Sequence, residues 1–594
     1  MNVSRADRTR SGALIGFCAL AMAAATPVAA IAQSDGPIRL TPPTANPFSS
    51  SADRAQGDTS SPNEVERMPL KPAGEAGAVV EVAPLPAPGS GPIGTLEEGA
   101  GLGTDVWQGA AVGEVEQMLR TLPLPMPDRS MSSLLQRLLL TRAPFGEAAA
   151  AEADTSAGLR AAALVRLGDV EGAKSLISAM QERSATPERV RAELDALLVE
   201  RKAERACEAA RVAVETAFEP YAQWVMVFCQ IVAGEKDRAS VGLDLVRESA
   251  EADDPLFIRL AETLLGFGSP PGEPPERLSP LHLRMWEATG EPIPVEAWRA
   301  SDPSIWRAIA ASPDAPLVQR IEAAEAAVGA AALPSEALAS LYRLLEPAPG
   351  ERDRVAAEEP DDWTGRERAL LFQDAAEAGS QPERAAALER LFELAQARGG
   401  YEAVVHAAAP LLGQLDPGAR LTFFAAHAAR AYLLLHDLRS ANEWAALAQR
   451  EREINPYAAR DAVELEPLLA LAGANEGGRW NEASFATWWQ RRQESDPEKG
   501  SENAALLADL LEALGEPAPS SAGMVVGGES ASAATIRGGP RGETILQIAH
   551  YLAAEGTSEA YRQRVPEAVR ALRSIGLESE ARRLAVEAAI GAGL

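Results

Sequence analysis

The sequence predicts an all-α fold, an irregular right-handed α-solenoid of helix hairpins. Three observations carry this. From residue 105 almost to the C-terminus, apolar residues recur at three and four positions, which is the helical period. Only 5% of the 594 residues are aromatic and about a fifth are Ala, a balance that favours helix and deprives strands of their preferred residues. A helix-turn-helix signature also recurs at multiples of about 34 residues.

Taken in chain order, the first element is an address. Arg5, Arg8 and Arg10 precede an uncharged run over 11–32 that ends Ala30-Ile31-Ala32. This is the pattern of a Sec-type signal peptide cleaved between Ala32 and Gln33, which would place the mature chain in the periplasm. Cys18 lies in the middle of the run behind Phe17 and does not suit lipidation. No later stretch has the roughly 18 uninterrupted apolar residues of a membrane span, so no membrane insertion is expected after the signal is removed. Residues 33–104 are dense in Pro, Gly, Ser and Ala and read as a disordered linker. They contain Gly89-x-Gly91-x-x-Gly94, but no strand precedes it and Pro88 and Pro92 exclude the strand-turn-helix that dinucleotide binding needs.

Helical patterns then run over 112–122, 132–140, 157–167, 170–182, 187–217 and 221–233 in an N-terminal segment, 105–268. A middle segment, 281–345, contains 317–330 and 335–345. A C-terminal segment, 363–594, contains 365–377, 382–397, 401–412, 417–435, 438–452, 502–514, 544–554 and 564–594. Pro-rich or acidic stretches at 269–280 and 346–362 divide the segments. The Gly/Ser/Ala stretch 516–541 is too long for an ordinary connection and reads as a flexible loop.

The repeat signal is a turn residue followed five positions on by Ala. It occurs at Gly168 with Ala173, Gly234 with Ala239, Arg398 with Ala403, His436 with Ala441 and Gly576 with Ala581. The intervals between these alanines approximate two, five, one and four units of the tetratricopeptide-like period, in which a small residue lets the two helices of a hairpin approach closely. Cys207 and Cys229 lie about equally far from a turn near Phe218, at the same height on an antiparallel hairpin. In an exported chain that placement suits a disulfide, the alternative being two buried thiols.

No catalytic, cofactor or metal motif is present. The five histidines, His282, His406, His427, His436 and His550, form none of the metal-binding spacings; Glu402 and His406 share a helix face one turn apart, as chance alone would allow. Trp224, Trp306 and Trp444 read as packing residues. Trp480, Trp488 and Trp489 with Arg491 and Arg492 cannot all face inward on one helix and are expected to form an exposed contact patch.

Ala-rich periplasmic superhelices also occur in soluble lytic transglycosylases, whose catalytic Glu stands in a Glu-Ser pair followed by Gly-Leu-Met-Gln. Glu-Ser occurs here at Glu248-Ser249, Glu494-Ser495, Glu529-Ser530 and Glu578-Ser579 without that sequel, so the resemblance extends to the superhelix only. The segments Gly101-Leu-Gly-Thr-Asp-Val-Trp107, Leu122-Pro-Leu-Pro-Met-Pro127, Tyr221-Ala-Gln-Trp-Val-Met-Val-Phe-Cys-Gln230 and Ala233-Gly-Glu235 resemble an uncharacterised family of exported, Ala-rich alphaproteobacterial proteins. Some members bear the label antifreeze glycopeptide polyprotein, yet the Ala-Ala-Thr tandem repeat that such glycopeptides require is lacking here. The resemblance implies no activity and assigns no site residues.

Function classes follow. With 85 acidic against 56 basic residues the net charge is −29, which excludes nucleic acid and anionic membrane as expected partners. The first expectation is a non-enzymatic periplasmic scaffold or adaptor that receives a protein, a peptide or an envelope polymer such as peptidoglycan on its concave face. The alternatives are a peptidoglycan-acting enzyme, or its non-catalytic partner, and a structural envelope-assembly protein.

Overall fold

The computed structural model describes residues 92–594 except 98, 145–149, 181–184, 217–218, 249–253, 270–274, 359, 475–479, 518–535 and 555–556. The signal segment with Ala32 and Gln33, residues 33–91 and most of the 516–541 stretch lie outside the described residues. Those described form 26 α-helices and no strand.

The first third comprises α1 (Val112–Arg120), α2 (Arg129–Leu140), α3 (Ala150–Arg166), α4 (Val170–Ala179), α5 (Pro187–Val199), α6 (Ala203–Thr216), α7 (Pro220–Val232), α8 (Lys236–Glu248) and α9 (Pro255–Leu265). There follow α10 (Pro280–Thr289), α11 (Val295–Arg299), α12 (Pro303–Ala310), α13 (Leu317–Gly329), α14 (Ser335–Leu344), α15 (Glu351–Ala357) and α16 (Gly365–Glu377). The last third has α17 (Gln381–Arg398), α18 (Tyr401–Leu412), α19 (Ala425–Leu434), α20 (Leu438–Glu451), α21 (Pro456–Leu471), α22 (Glu482–Ser495) and α23 (Pro497–Leu514). It closes with α24 (Arg541–Leu552), α25 (Ser558–Ser574) and α26 (Glu578–Gly591).

Local chemistry accounts for the boundaries. Pro opens α5, α7, α9, α10, α12, α21 and α23, where its missing N–H has no helical partner to lose. Asp169, Thr186, Asp254, Ser279, Asp437 and Asn455 cap helices by accepting a backbone N–H of the first turn. Four of the five turn residues of the repeat signal end helices in the left-handed region, φ being 82° at Gly168, 77° at Gly234, 80° at Gly576 and 60° at His436, while Arg398 is the last residue of α17 and Gly399 makes the turn. The alanines five positions on, Ala173, Ala239, Ala403, Ala441 and Ala581, are all buried, as close hairpin packing requires.

Several boundaries differ from the sequence reading. The pattern at 187–217 is two helices, α5 and α6, separated at Arg201, which takes φ 61° and ion-pairs with Glu287 and Asp314 at 2.7 Å each. The pattern at 417–435 opens as a 3-10 turn over Ala419–Phe424, and 564–594 is broken into α25 and α26 by Gly576. The stretch 346–362, expected as a loop, holds α15. Helices as short as α11 and α15 span too few turns to display a period, and prolines interrupt the pattern of α21 at Pro467.

Residues 92–104, expected within the linker, pack onto the body. Ile93 and Leu102 are buried, and the buried Arg160 on α3 donates to the carbonyls of Ile93 (3.0 Å), Leu139 (2.7 Å) and Thr141 (2.8 Å). Gly94 lets this segment lie against Arg142, whose Cα would be 2.4 Å from a Cβ at position 94.

Cys207 on α6 and Cys229 on α7 are joined in a disulfide with Cα atoms 5.7 Å apart. Closing a loop of 22 residues, it stabilises the native state by about 3 kcal/mol through the unfolded chain. Among the described residues no helix is long and apolar enough to cross a membrane.

Sequential hairpins pack on one another along the chain, as α3 on α4, α6 on α7 and α19 on α20. The two ends of the described chain also meet: α1 packs on α24, and α2 on α24 and α26. An open nearest-neighbour array has no such contact. Arg137 ion-pairs with Glu580 at 2.9 Å, Gly542 donates its N–H to Val106 O at 2.8 Å, and Arg541 donates to Leu102 O at 2.8 Å. Glu587 of α26 accepts the Ser130 N–H at 3.0 Å and its hydroxyl at 2.7 Å, so a carboxylate more than 450 residues away caps the N-terminus of α2.

Candidate functional site

A cavity of about 420 Å³ opens between the end of α11, α12, α13, the segment before α16 and the start of α18. Its walls include Trp298, Trp306, Trp363 and Tyr401, with Arg299, Glu322, Glu325, Arg368 and Glu402 among them. Two of the indoles are held by backbone hydrogen bonds: Trp306 Nε1 donates to Trp298 O and Trp363 Nε1 to Gly399 O, both at 2.8 Å. Arg368 stands 5.4 Å from the Trp363 ring centre and Arg398 stands 6.0 Å from it.

The charges of the walls are paired. Arg299 donates to Glu322 at 2.9 Å. Arg368 and Glu325, both buried, form a two-pronged pair at 2.7 and 2.6 Å, and the Tyr342 hydroxyl donates to Glu325 at 2.7 Å. Gly399 and Gly400 take φ 100° and 91°, which turns the chain sharply into α18 and sets Tyr401 and Glu402 beside this pair. A Cβ at Gly400 would press on Arg368 at 3.2 Å.

Three wall residues carry atoms without partners. Trp298 Nε1, the Tyr401 hydroxyl and Glu402 Oε1 are buried and have no hydrogen-bond partner among the described residues. A buried polar atom left in this way costs about 1–3 kcal/mol, a penalty that a ligand able to hydrogen-bond would remove. Burial, aided by Glu587, pushes the Glu402 carboxyl well above the usual carboxylate range, against the pull of Arg129. Two other cavities, about 610 Å³ between α15, α16 and α17 and about 410 Å³ between α5 and α6, have no aromatic ring in their linings.

Behind Glu402 the chain ends meet in a buried polar group. Arg129 at the start of α2 donates to Val328 O of α13 and lies in the field of Glu402 and Glu587. Tyr561 of α25 donates to Asp128 Oδ1. Burial, with the charge of Glu587 adding to it, pushes Asp128 up to about 7. His406, one turn beyond Glu402, is held down to about 3 by burial and by Arg129 and His436. His436 approaches Glu587 at 3.5 Å. The shared face of Glu402 and His406 is therefore real, and it faces this junction.

The other residues singled out by sequence lie elsewhere. Trp480, Trp488 and Trp489 do not form an exposed patch. Trp480 and Trp488 are buried and Trp489 is half-buried, and Phe485 gathers all three at ring separations of 6.0–6.3 Å. Neighbours on a helix share one core here because Trp489 stacks on the flank of Phe485 rather than pointing inward. Arg492 ion-pairs with Glu464 of α21 at 2.7 Å and donates to Gly593 O at 2.9 Å, and Arg491 is half-buried. Trp444 is core, Trp224 stacks on Phe257 at 5.0 Å, and Trp306 both packs and lines the cavity. His282 is engaged by Asp254 at 2.9 Å and His550 by Met118 O at 3.0 Å. Sequence reasoning missed Trp298, Trp363 and Tyr401. Their one local signal is the Gly399-Gly400 pair before Tyr401.

No family model, curated protein or solved structure matches this chain.

Proposed function

We propose that the chain is an exported, periplasmic scaffold or adaptor, an irregular helical-repeat superhelix whose aromatic cavity receives an uncharged, hydrogen-bonding segment of an envelope polymer. A glycan strand fits this chemistry better than a charged peptide. Indole faces provide stacking area, the wall charges neutralise one another, and the unpartnered atoms are those of Trp298, Tyr401 and Glu402. That last observation carries the reading. The all-helical body is compatible with a scaffold, and the disulfide is compatible with an oxidising compartment.

Titration calorimetry of the mature chain with soluble peptidoglycan fragments tests it. Saturable binding is expected, weakened about five- to tenfold by Tyr401→Phe, which removes one hydrogen bond and leaves the ring in place. Binding that is indifferent to this change would place the ligand elsewhere, and binding of peptides alone would replace the glycan.

A second reading rests on Glu402. A carboxyl that keeps its proton in an aromatic cleft has the character of a general acid for glycosidic cleavage. In that case zymography of the wild-type chain clears peptidoglycan and Glu402→Gln does not. With an adaptor, neither clears it.

A further inference from the structure

We propose that Glu389, Glu393 and His427 form a binding site for one divalent transition-metal ion, distinct from the aromatic cavity. No motif announces it, since the histidine lies 34 residues beyond the nearer glutamate. Glu389 and Glu393 stand one turn apart on α17 and so project from the same face. His427 reaches them from α19, its Nε2 being 3.9 Å from Glu389 Oε1 and 3.8 Å from Glu393 Oε1.

The three donor atoms all lie within 4.8 Å of one another. A triangle with sides of 3.8, 3.9 and at most 4.8 Å has a centre no more than about 2.5 Å from each corner. A cation at that centre therefore needs only a few tenths of an ångström of side-chain movement to reach ordinary ligand distances of about 2.0–2.2 Å. The donors are too far apart to hydrogen-bond to one another, so they converge on a centre without satisfying each other.

The surroundings suit a cation. Phe424 stacks against the His427 ring, 6.2 Å between centres, and holds it in place. Asp461 of α21 adds a third negative charge, and Arg430 is the positive group that faces the site. One imidazole with two carboxylates favours Zn²⁺ or a neighbouring first-row ion over Ca²⁺ or Mg²⁺, which take oxygen donors. Three protein ligands leave a coordination position open.

The test uses the mature chain stripped with chelator, titrated with Zn²⁺ by calorimetry and, in parallel, with Ca²⁺ and Mg²⁺. One Zn²⁺ per chain is expected, with little response to the other two. Glu393→Gln, at a side chain that is 54% exposed, leaves the packing intact and is expected to weaken Zn²⁺ binding at least about tenfold. His427→Gln, checked for native circular dichroism, is expected to abolish it. Absence of Zn²⁺ binding, Zn²⁺ binding unchanged in both variants, or tighter binding of Ca²⁺ than of Zn²⁺ would each overturn the assignment.

Discussion

Replacing Glu325 by Ala is expected to lower folding stability by about 3–5 kcal/mol, one of the largest single losses in the molecule. The Arg368 side chain is 9% exposed and that of Glu325 is 7% exposed, so removing the carboxylate strands a buried guanidinium. It also orphans the Tyr342 hydroxyl, which donates to the same oxygen as Arg368 Nε. Arg368→Ala is expected to be as severe for the opposite reason, leaving a buried carboxylate with the Tyr342 hydroxyl as its remaining donor. The triple variant Glu325→Leu, Arg368→Met, Tyr342→Phe removes all the buried partners together, and it is expected to be closer to wild type than either single variant. Urea unfolding followed by circular dichroism measures this, and a loss below about 1 kcal/mol in Glu325→Ala would show that water reaches the pair. Because Arg368 also donates to Trp363 O at 3.2 Å, the single variants are expected to lose cavity binding as well.

How much of this was legible in the sequence follows from the range of the interactions. The all-helical reading rests on neighbours three and four apart, and the structure bears it out. The turns at Gly168, Gly234 and Gly576 were legible because a left-handed residue and a small one five positions on are local requirements of a hairpin. What joins α2 to α26 was not. Ser130 and Glu587 are ordinary surface-type residues in a chain with 85 acids, and nothing within either helix distinguishes this Glu from the others. The cavity shares that difficulty, since Trp298, Trp363 and Tyr401 come from three separate elements and meet only through tertiary packing. Trp480 to Arg492 misled for a related reason: a local argument about helix faces left out α21 and the C-terminus, which supply the second wall.

The junction of the chain ends should make stability fall as pH rises through the mildly acidic range. Asp128 ionises near 3.8 in the unfolded chain but near 7 in the native one. Between those values the unfolded state has lost the proton and the native state keeps it, so native stability declines by about 1.4 kcal/mol per pH unit. The contribution is complete below the unfolded value and gone once pH passes the native one. From pH 5 to pH 8 it amounts to about 3 kcal/mol. Glu402, raised by burial and by Glu587, acts in the same direction. His406 opposes both: neutral in the native state down to about 3, it loses stability as pH falls below the ordinary 6.5, where the unfolded chain takes up a proton. Wild type alone thus reports a sum, and comparison with Asp128→Asn isolates one group. The amide keeps an oxygen to accept from Tyr561 and never ionises. The expected result is that the stability of wild type relative to Asp128→Asn drops by about 3 kcal/mol between pH 5 and pH 8, read from urea midpoints at the two values. Because Asp128 sits between Tyr561 and Glu587, a parallel pair of curves would mean that the proton is held elsewhere in the group, and the same comparison with Glu402→Gln would then locate it.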